Sequence, residues 1–169
     1  MEYWELPDEA LLAQCDWYAS RASGPGGQKR NKTSSAIRLH HRPTDITVIA
    51  NESRLQGENR RHALARLRHA LALSIRREVE LSSFTVPEAA HLQKTRDGRL
   101  AVNPDNPRYL PIIALVLDLL QACRGQVSAV ADLLGVSTSN IIHLLHNDPK
   151  LWAAAQAMRK RFGLPALKG

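Results

Sequence analysis

From Ser35 to His40, and again from Ile46 to Ala50, side chains alternate with a period of two; from Asn59 onward the apolar residues recur at every third or fourth position. A period of two belongs to a strand with one buried face and a period near 3.6 to a helix with one apolar stripe, so the chain must change element type between the two segments. Ile37 and Leu39 alternate with Ala36, Arg38 and His40, and Ile46, Val48 and Ala50 alternate with Thr47 and Ile49. Arg42-Pro43-Thr44-Asp45 lies between them as a turn, which predicts a hairpin with Arg38 and His40 pointing off its buried face. Cys15 to Arg21 fits a further strand, preceded by a short helix that opens at Pro7-Asp8-Glu9 and ends near Gln14. Asn59 to Glu80 is predicted to be a helix, with Ala63, Leu64, Leu67, Ala70 and Leu71 as the stripe that covers the hairpin.

The second half keeps the helical period. Residues 81–107 carry Pro87, Pro104, Pro107 and an Asp97-Gly98 turn without a sustained period, and are expected to be a connector. Beyond it Tyr109, Ile113, Val116, Leu117 and Leu120 line one face of a helix, a second helix runs from Val127 to Leu134, and a third from Ser139 to His146. Asp148-Pro149 starts a fourth, carrying Leu151, Trp152, Ala155, Met158 and Phe162. Ala131, Gly135 and Ile141 have the spacing of a helix-turn-helix: a small residue at the crossing, a glycine in the turn and an aliphatic anchor in the second helix. The expected fold is therefore α+β: a small antiparallel sheet covered by a helix over residues 1–80, the connector 81–107, and an all-helical, helix-turn-helix-like domain over 108–169.

Charge is concentrated in the first half. The chain has 169 residues, 23 Lys plus Arg and 16 Asp plus Glu, a formal +7. Residues 1–20 carry five acids and no Lys or Arg, whereas 21–77 carry thirteen bases against three acids, a net +10. Such a segment points to a polyanion, with phosphate as the commonest. The helix-turn-helix has no Lys or Arg between Gln126 and Asp148, which disfavours duplex DNA and leaves Ser139, Asn140 and His143 as a possible docking face for a ribosome or protein. Trp4, Trp17 and Trp152 are scattered, so packing is expected of them rather than base stacking. His40-His41, His143 and His146 lack the partners of a metal site, and no metal is expected. The two cysteines, Cys15 and Cys123, cannot form a disulfide framework, the first residues lack the pattern of a signal peptide, and no apolar run reaches membrane-spanning length. A soluble protein of a reducing cytoplasm is expected.

Ser23-Gly24-Pro25-Gly26-Gly27 is too rich in chain-breaking residues for regular structure and is expected to be a loop. The run from Arg21 to Gln28, with Asn31-Lys32-Thr33, Ser35-Ala36, Arg38, His41, Pro43-Thr44, Arg54, Gln56, Asn59 and Ala63-Leu64, resembles the catalytic domain of the class I peptide-chain release factors, and more closely the short, codon-independent members that rescue stalled ribosomes. Three positions depart from that family's pattern: Asp45 replaces a turn glycine, Leu55 a serine, and Lys29-Arg30 follow the glutamine where an uncharged residue is common. The first two are expected to change their turns locally and the third to add phosphate contacts. The resemblance implies that Gly26, Gly27 and Gln28 are catalytic, the Gln28 backbone N–H stabilising the transition state of ester hydrolysis while its side chain shapes the pocket. Glycine permits such close backbone approach because it has no Cβ. Ser20 to Lys32 contains no Asp, Glu, His or Cys to act as a base, so activity is expected only with the ribosome and the tRNA. Arg21, Lys29, Arg30, Lys32 and Arg38 are the expected RNA-binding residues.

The implied partners are the ribosome, through large-subunit rRNA, and peptidyl-tRNA, with no small-molecule cofactor and a monomeric protein. Only about twenty residues precede Arg21, so no stop-codon reader is expected there, and Arg159-Lys160-Arg161 with Lys168 is a thin substitute for a basic tail. The competing reading is a non-catalytic RNA- or DNA-binding regulator that uses the basic face and the helix-turn-helix.

Overall fold

The computed structural model describes residues 2–20, 35–88 and 95–168, in two compact units, Met1–Leu71 and Ala72–Gly169. In the first, helix α1 (Asp8–Leu12) precedes strands β1 (Cys15–Ser20), β2 (Ala36–His41) and β3 (Ile46–Ala50). They form one antiparallel sheet in the order β1-β2-β3, with Ser20 opposite Ala36 and Cys15 opposite His41. The alternation holds: Ile37 and Leu39 are fully buried while Arg38 is exposed. Their apolar side joins Trp4, Leu11, Cys15 and Ala50 in the core.

Helix α2 (Gln56–Ser74) adds Ala63, Leu64, Leu67 and Leu71 to the buried set; Ala70 is only half-buried. It begins three residues earlier than expected and ends six earlier. At the start Leu55, which has no side-chain cap to offer, still accepts from the N–H groups of Glu58 and Asn59, and Ser53 two residues upstream hydrogen-bonds Glu58 with its hydroxyl. At the end the backbone N–H of Arg77 donates to Asp118 at 3.1 Å, and the Arg76 side chain donates to the carbonyl of Ala72. Side chains thus satisfy groups that a longer helix would have paired.

At the β2–β3 turn Asp45 takes the left-handed φ of 58° itself, and its carboxylate meets His40 Nε2 at 2.8 Å. Aspartate tolerates that region better than most residues. His41 next door is fully buried, with Nδ1 2.8 Å from Thr44 Oγ1, Nε2 3.1 Å from Gln14 Oε1 and the Tyr3 ring edge-on at 4.9 Å. Burial first, then the charges of Arg42 and His40, pull its pKa below the usual 6.5. Above 6.5 the ring is neutral in both the folded and unfolded chain; below it the unfolded chain takes up the proton and the folded one resists. Stability of this unit is therefore expected to be complete above about pH 6.5 and to fall as the pH drops through and below that value. Urea midpoints between pH 8 and 5 would show it, and a His41→Asn variant should lack that part of the slope. An identical slope in the variant would assign it to other groups.

The second unit contains α3 (Tyr109–Ala122), α4 (Val127–Leu134), α5 (Thr138–His146) and α6 (Pro149–Arg161). α3 is not the one-faced helix expected: every residue from Ile112 to Leu120 is buried, as is Tyr109. α4 and α6 pack against it, so an apolar stripe on one side alone would not suffice. α4 and α5 meet at 107°. Gly135 closes α4 in the left-handed region (φ 62°), and Val136 N–H returns to Ala131 C=O at 3.0 Å, the turn that a side chain would strain. Ser137 caps α5 and Asp148 caps α6, Asp148 also accepting from the Tyr109 hydroxyl at 2.8 Å. Burial and the Asp148 carboxylate push the Tyr109 pKa well above its ordinary value. Among the described residues no single helix is long and apolar enough to cross a membrane.

Candidate functional site

Gly26, Gly27, Gln28, Arg21, Lys29, Arg30 and Lys32 lie outside the described residues; the fold to either side of them does not. β1 ends at Ser20 and β2 begins at Ala36, and these two residues are paired. The described chain therefore stops and resumes at neighbouring points of the sheet, Ser20 and Ala36 lying about 5 Å apart at the backbone.

One side chain secures the return. Asn59 is fully buried in the first turns of α2; its Nδ2 donates to Ser35 C=O at 2.6 Å and Ser53 C=O at 2.8 Å, and its Oδ1 accepts from Ser53 N–H at 2.9 Å. It ties the residue before β2 to the approach of α2. Sequence reasoning placed Asn59 among the matched positions without a role. The signal was there: an amide one turn before Ala63 and two before Leu67, on the apolar stripe. Asn59→Ala leaves three backbone groups of Ser35 and Ser53 without that partner, and is expected to lower unfolding stability by about 1–3 kcal/mol in urea titrations. Asn59→Asp should be no milder, since it removes both donated bonds and sets a carboxylate against two carbonyls.

The described arginines of the basic segment divide into two groups that a charge count cannot separate. Arg42 donates to Asp16 at 2.8 Å and to Ala13 C=O, holding the Asp16 carboxyl below its ordinary pKa. Arg66 engages Glu52 and Ile49 C=O, Arg68 engages Asp8 and Trp4 C=O, and Arg76 and Arg77 both engage Asp118. These five arginines hold the fold. Arg38, Arg54, Arg60 and Arg61 are exposed, and none forms an ion pair among the described residues. Arg38 projects from the uncovered face of the sheet.

The docking-face residues separate as well. Ser139 and His143 are exposed on α5, but Asn140 is half-buried, and its amide is paired with the backbone of Leu100, accepting from N–H at 2.8 Å and donating to C=O at 3.0 Å. Residues 95–104 of the expected connector consequently line one side of a groove of roughly 1030 Å³ whose other side is α5. Arg159, read as part of a basic tail, is buried; its guanidinium donates to Gly125 C=O and Pro165 C=O, while Gln156 pairs with the backbone of Leu167. Trp4 is buried and Trp152 packs edge-on to His146 at 5.1 Å, but Trp17 is 56% exposed, contrary to the packing expected of it. Among the described residues no group of three or more His, Cys, Asp or Glu side chains is placed to hold a metal ion.

Residues 11–100 match the model of the RF-1 domain family. The chain is 39% identical over 83 residues to the zebrafish (Danio rerio) mitochondrial translation release factor in rescue, covering 49% of this chain and 52% of that protein. It is 55% identical over 51 residues to peptide chain release factor 1 of Thermus thermophilus and to peptide chain release factor 2 of Lactiplantibacillus plantarum, in each case 30% of this chain and 14% of the relative. The chain thus spans about half the length of the rescue factor and a small part of the other two. With more than half its residues matched, the chain belongs to the RF-1 domain family.

Proposed function

We propose that this protein hydrolyses the ester joining a nascent peptide to tRNA, on the ribosome and without reading a codon, in the cytoplasm. The observation that carries the reading is the family match across residues 11–100, which includes Gly26-Gly27-Gln28. The Gln28 backbone N–H is the donor for the developing oxyanion, the two glycines let the chain approach, and water is the nucleophile. Arg21, Lys29, Arg30, Lys32 and Arg38 contact rRNA or tRNA phosphate, which sets register without reading sequence. The likeness to a factor named for rescue favours codon independence, and the exposed Ser139 and His143 remain the docking positions of the helical unit.

The test is peptide release from ribosomes loaded with peptidyl-tRNA, with no codon, a sense codon or a stop codon in the acceptor site. Comparable release in all three is expected. Release confined to the stop codon would end the codon-independent reading, and no release in any would leave the nucleic-acid-binding regulator.

A further inference from the structure

The uncovered face of the sheet carries two cross-strand rows. Register sets Tyr18 opposite Arg38 and Arg38 opposite Ile49; one step further from segment 21–34, Asp16 stands opposite His40 and His40 opposite Thr47. The second row is satisfied by its own charges: Arg42 pairs with Asp16 at 2.8 Å, and His40 lies 2.8 Å from Asp45 and 3.6 Å from Asp16. The first row is different. Tyr18 is 60% exposed, Ile49 is 54% exposed, and Arg38 between them is exposed with no ion pair among the described residues. Tyr18, Arg38, His40, Asp45 and Thr47 line a shallow depression of roughly 350 Å³.

We propose that this row binds an unpaired segment of ribosomal RNA, one base stacking on the Tyr18 ring and the adjoining phosphate pairing with Arg38. Adjacent strands are about 4.8 Å apart, which brings ring and guanidinium within the span of one nucleotide. Exposed aromatic rings on a sheet, beside a cation, are suited to single strands because every free base offers a face to stack on. A duplex offers none along its length, and a strip of one ring and one aliphatic side chain is far smaller than the roughly 800 Å² per partner that a stable protein interface buries. Arg54, Arg60 and Arg61, exposed like Arg38 and without an ion pair among the described residues, add to the attraction for a phosphate chain. The source of the RNA rests on the ribosomal reading above; the contact itself does not.

Fluorescence anisotropy with a short labelled single-stranded RNA of mixed sequence, and with the same strand in a duplex, tests it. Tyr18→Ala should weaken single-strand binding about tenfold, the effect of losing one stacked base, and leave duplex binding unchanged; Tyr18→Phe should keep the affinity. Arg38→Gln should reduce the slope of log K against log salt by about 0.7. Because Tyr18 is mostly exposed, its variants should melt with the parent. Undiminished single-strand binding by Tyr18→Ala, an equal loss on the duplex, or an equal loss in Tyr18→Phe would each overturn the proposal. If the protein releases no peptide yet Tyr18→Ala still loses single-strand affinity, the functional reading falls and this contact stands; release with unaltered Tyr18→Ala binding removes the contact alone.

Discussion

Gly27→Ala is expected to reduce peptide release by at least a hundredfold, while thermal stability and ribosome affinity stay close to those of the parent. A hundredfold is the lower end of what one misplaced oxyanion donor costs. The proposed donor is the N–H of the next residue, Gln28, so a methyl group on residue 27 obstructs both the approach of this backbone to the reacting ester and any left-handed φ the loop requires. Neither effect is expected to disturb the described cores of the two units, built on residues such as Leu11, Ile37, Leu67 and Ile113. Gln28→Ala should cost less, because it keeps the main-chain N–H. Single-turnover release at saturating protein, with a melting curve of each variant, separates these outcomes. A fall of many degrees in Gly27→Ala would mean that residue 27 supports the fold, and equal loss in Gln28→Ala would move the chemistry to the side chain.

The second large effect is one of stability and lies in the helical unit. Asp118, 1% exposed on the buried helix α3, takes Arg76 Nη1 at 2.8 Å and both the side chain and the backbone N–H of Arg77 at 3.1 Å. The Arg76 side chain is only 10% exposed, whereas that of Arg77 is 47% exposed. Asp118→Ala leaves the Arg76 charge buried without its counterion, while Arg77 can turn to water. Removing one partner of a buried pair costs about 3–5 kcal/mol, enough to unfold a marginal domain. Replacing both Asp118 and Arg76 with leucine should recover most of the loss, because no orphaned charge remains. Urea denaturation of the single and double variants decides it. A loss below about 1 kcal/mol in Asp118→Ala would mean that water reaches Arg76 in the folded protein.

Sheet, covering helix and helix-turn-helix were legible because side-chain period is a local property: Ile37 and Leu39 had to share one side of a strand, and Gly135 had to sit where α4 turns into α5. The failures are of another kind. Scatter along the chain, the ground for expecting Trp17 to pack, says nothing of burial: Trp17 shares its strand parity with Cys15 and Leu39, yet on the edge strand β1 it is 56% exposed. Asn140 has an outward position on α5, and only the chain returning at Leu100 makes it a backbone clamp. Asn59 showed as a polar residue on an apolar stripe, but its partners, Ser35 and Ser53, come from separate stretches of chain.

The order of elements, the family and a basic excess in residues 21–77 were all readable from the chain before it folds. Tertiary structure alone decided which of those charges are spent. Arg42 finds Asp16 across 26 positions, Arg68 finds Asp8 across 60 and Arg76 finds Asp118 across 42, leaving Arg38 unpaired among the described residues on the open sheet face. Period follows from backbone geometry within a few residues, whereas an ion pair depends on distance through space, and two charges far apart in the chain become neighbours only once the chain has folded.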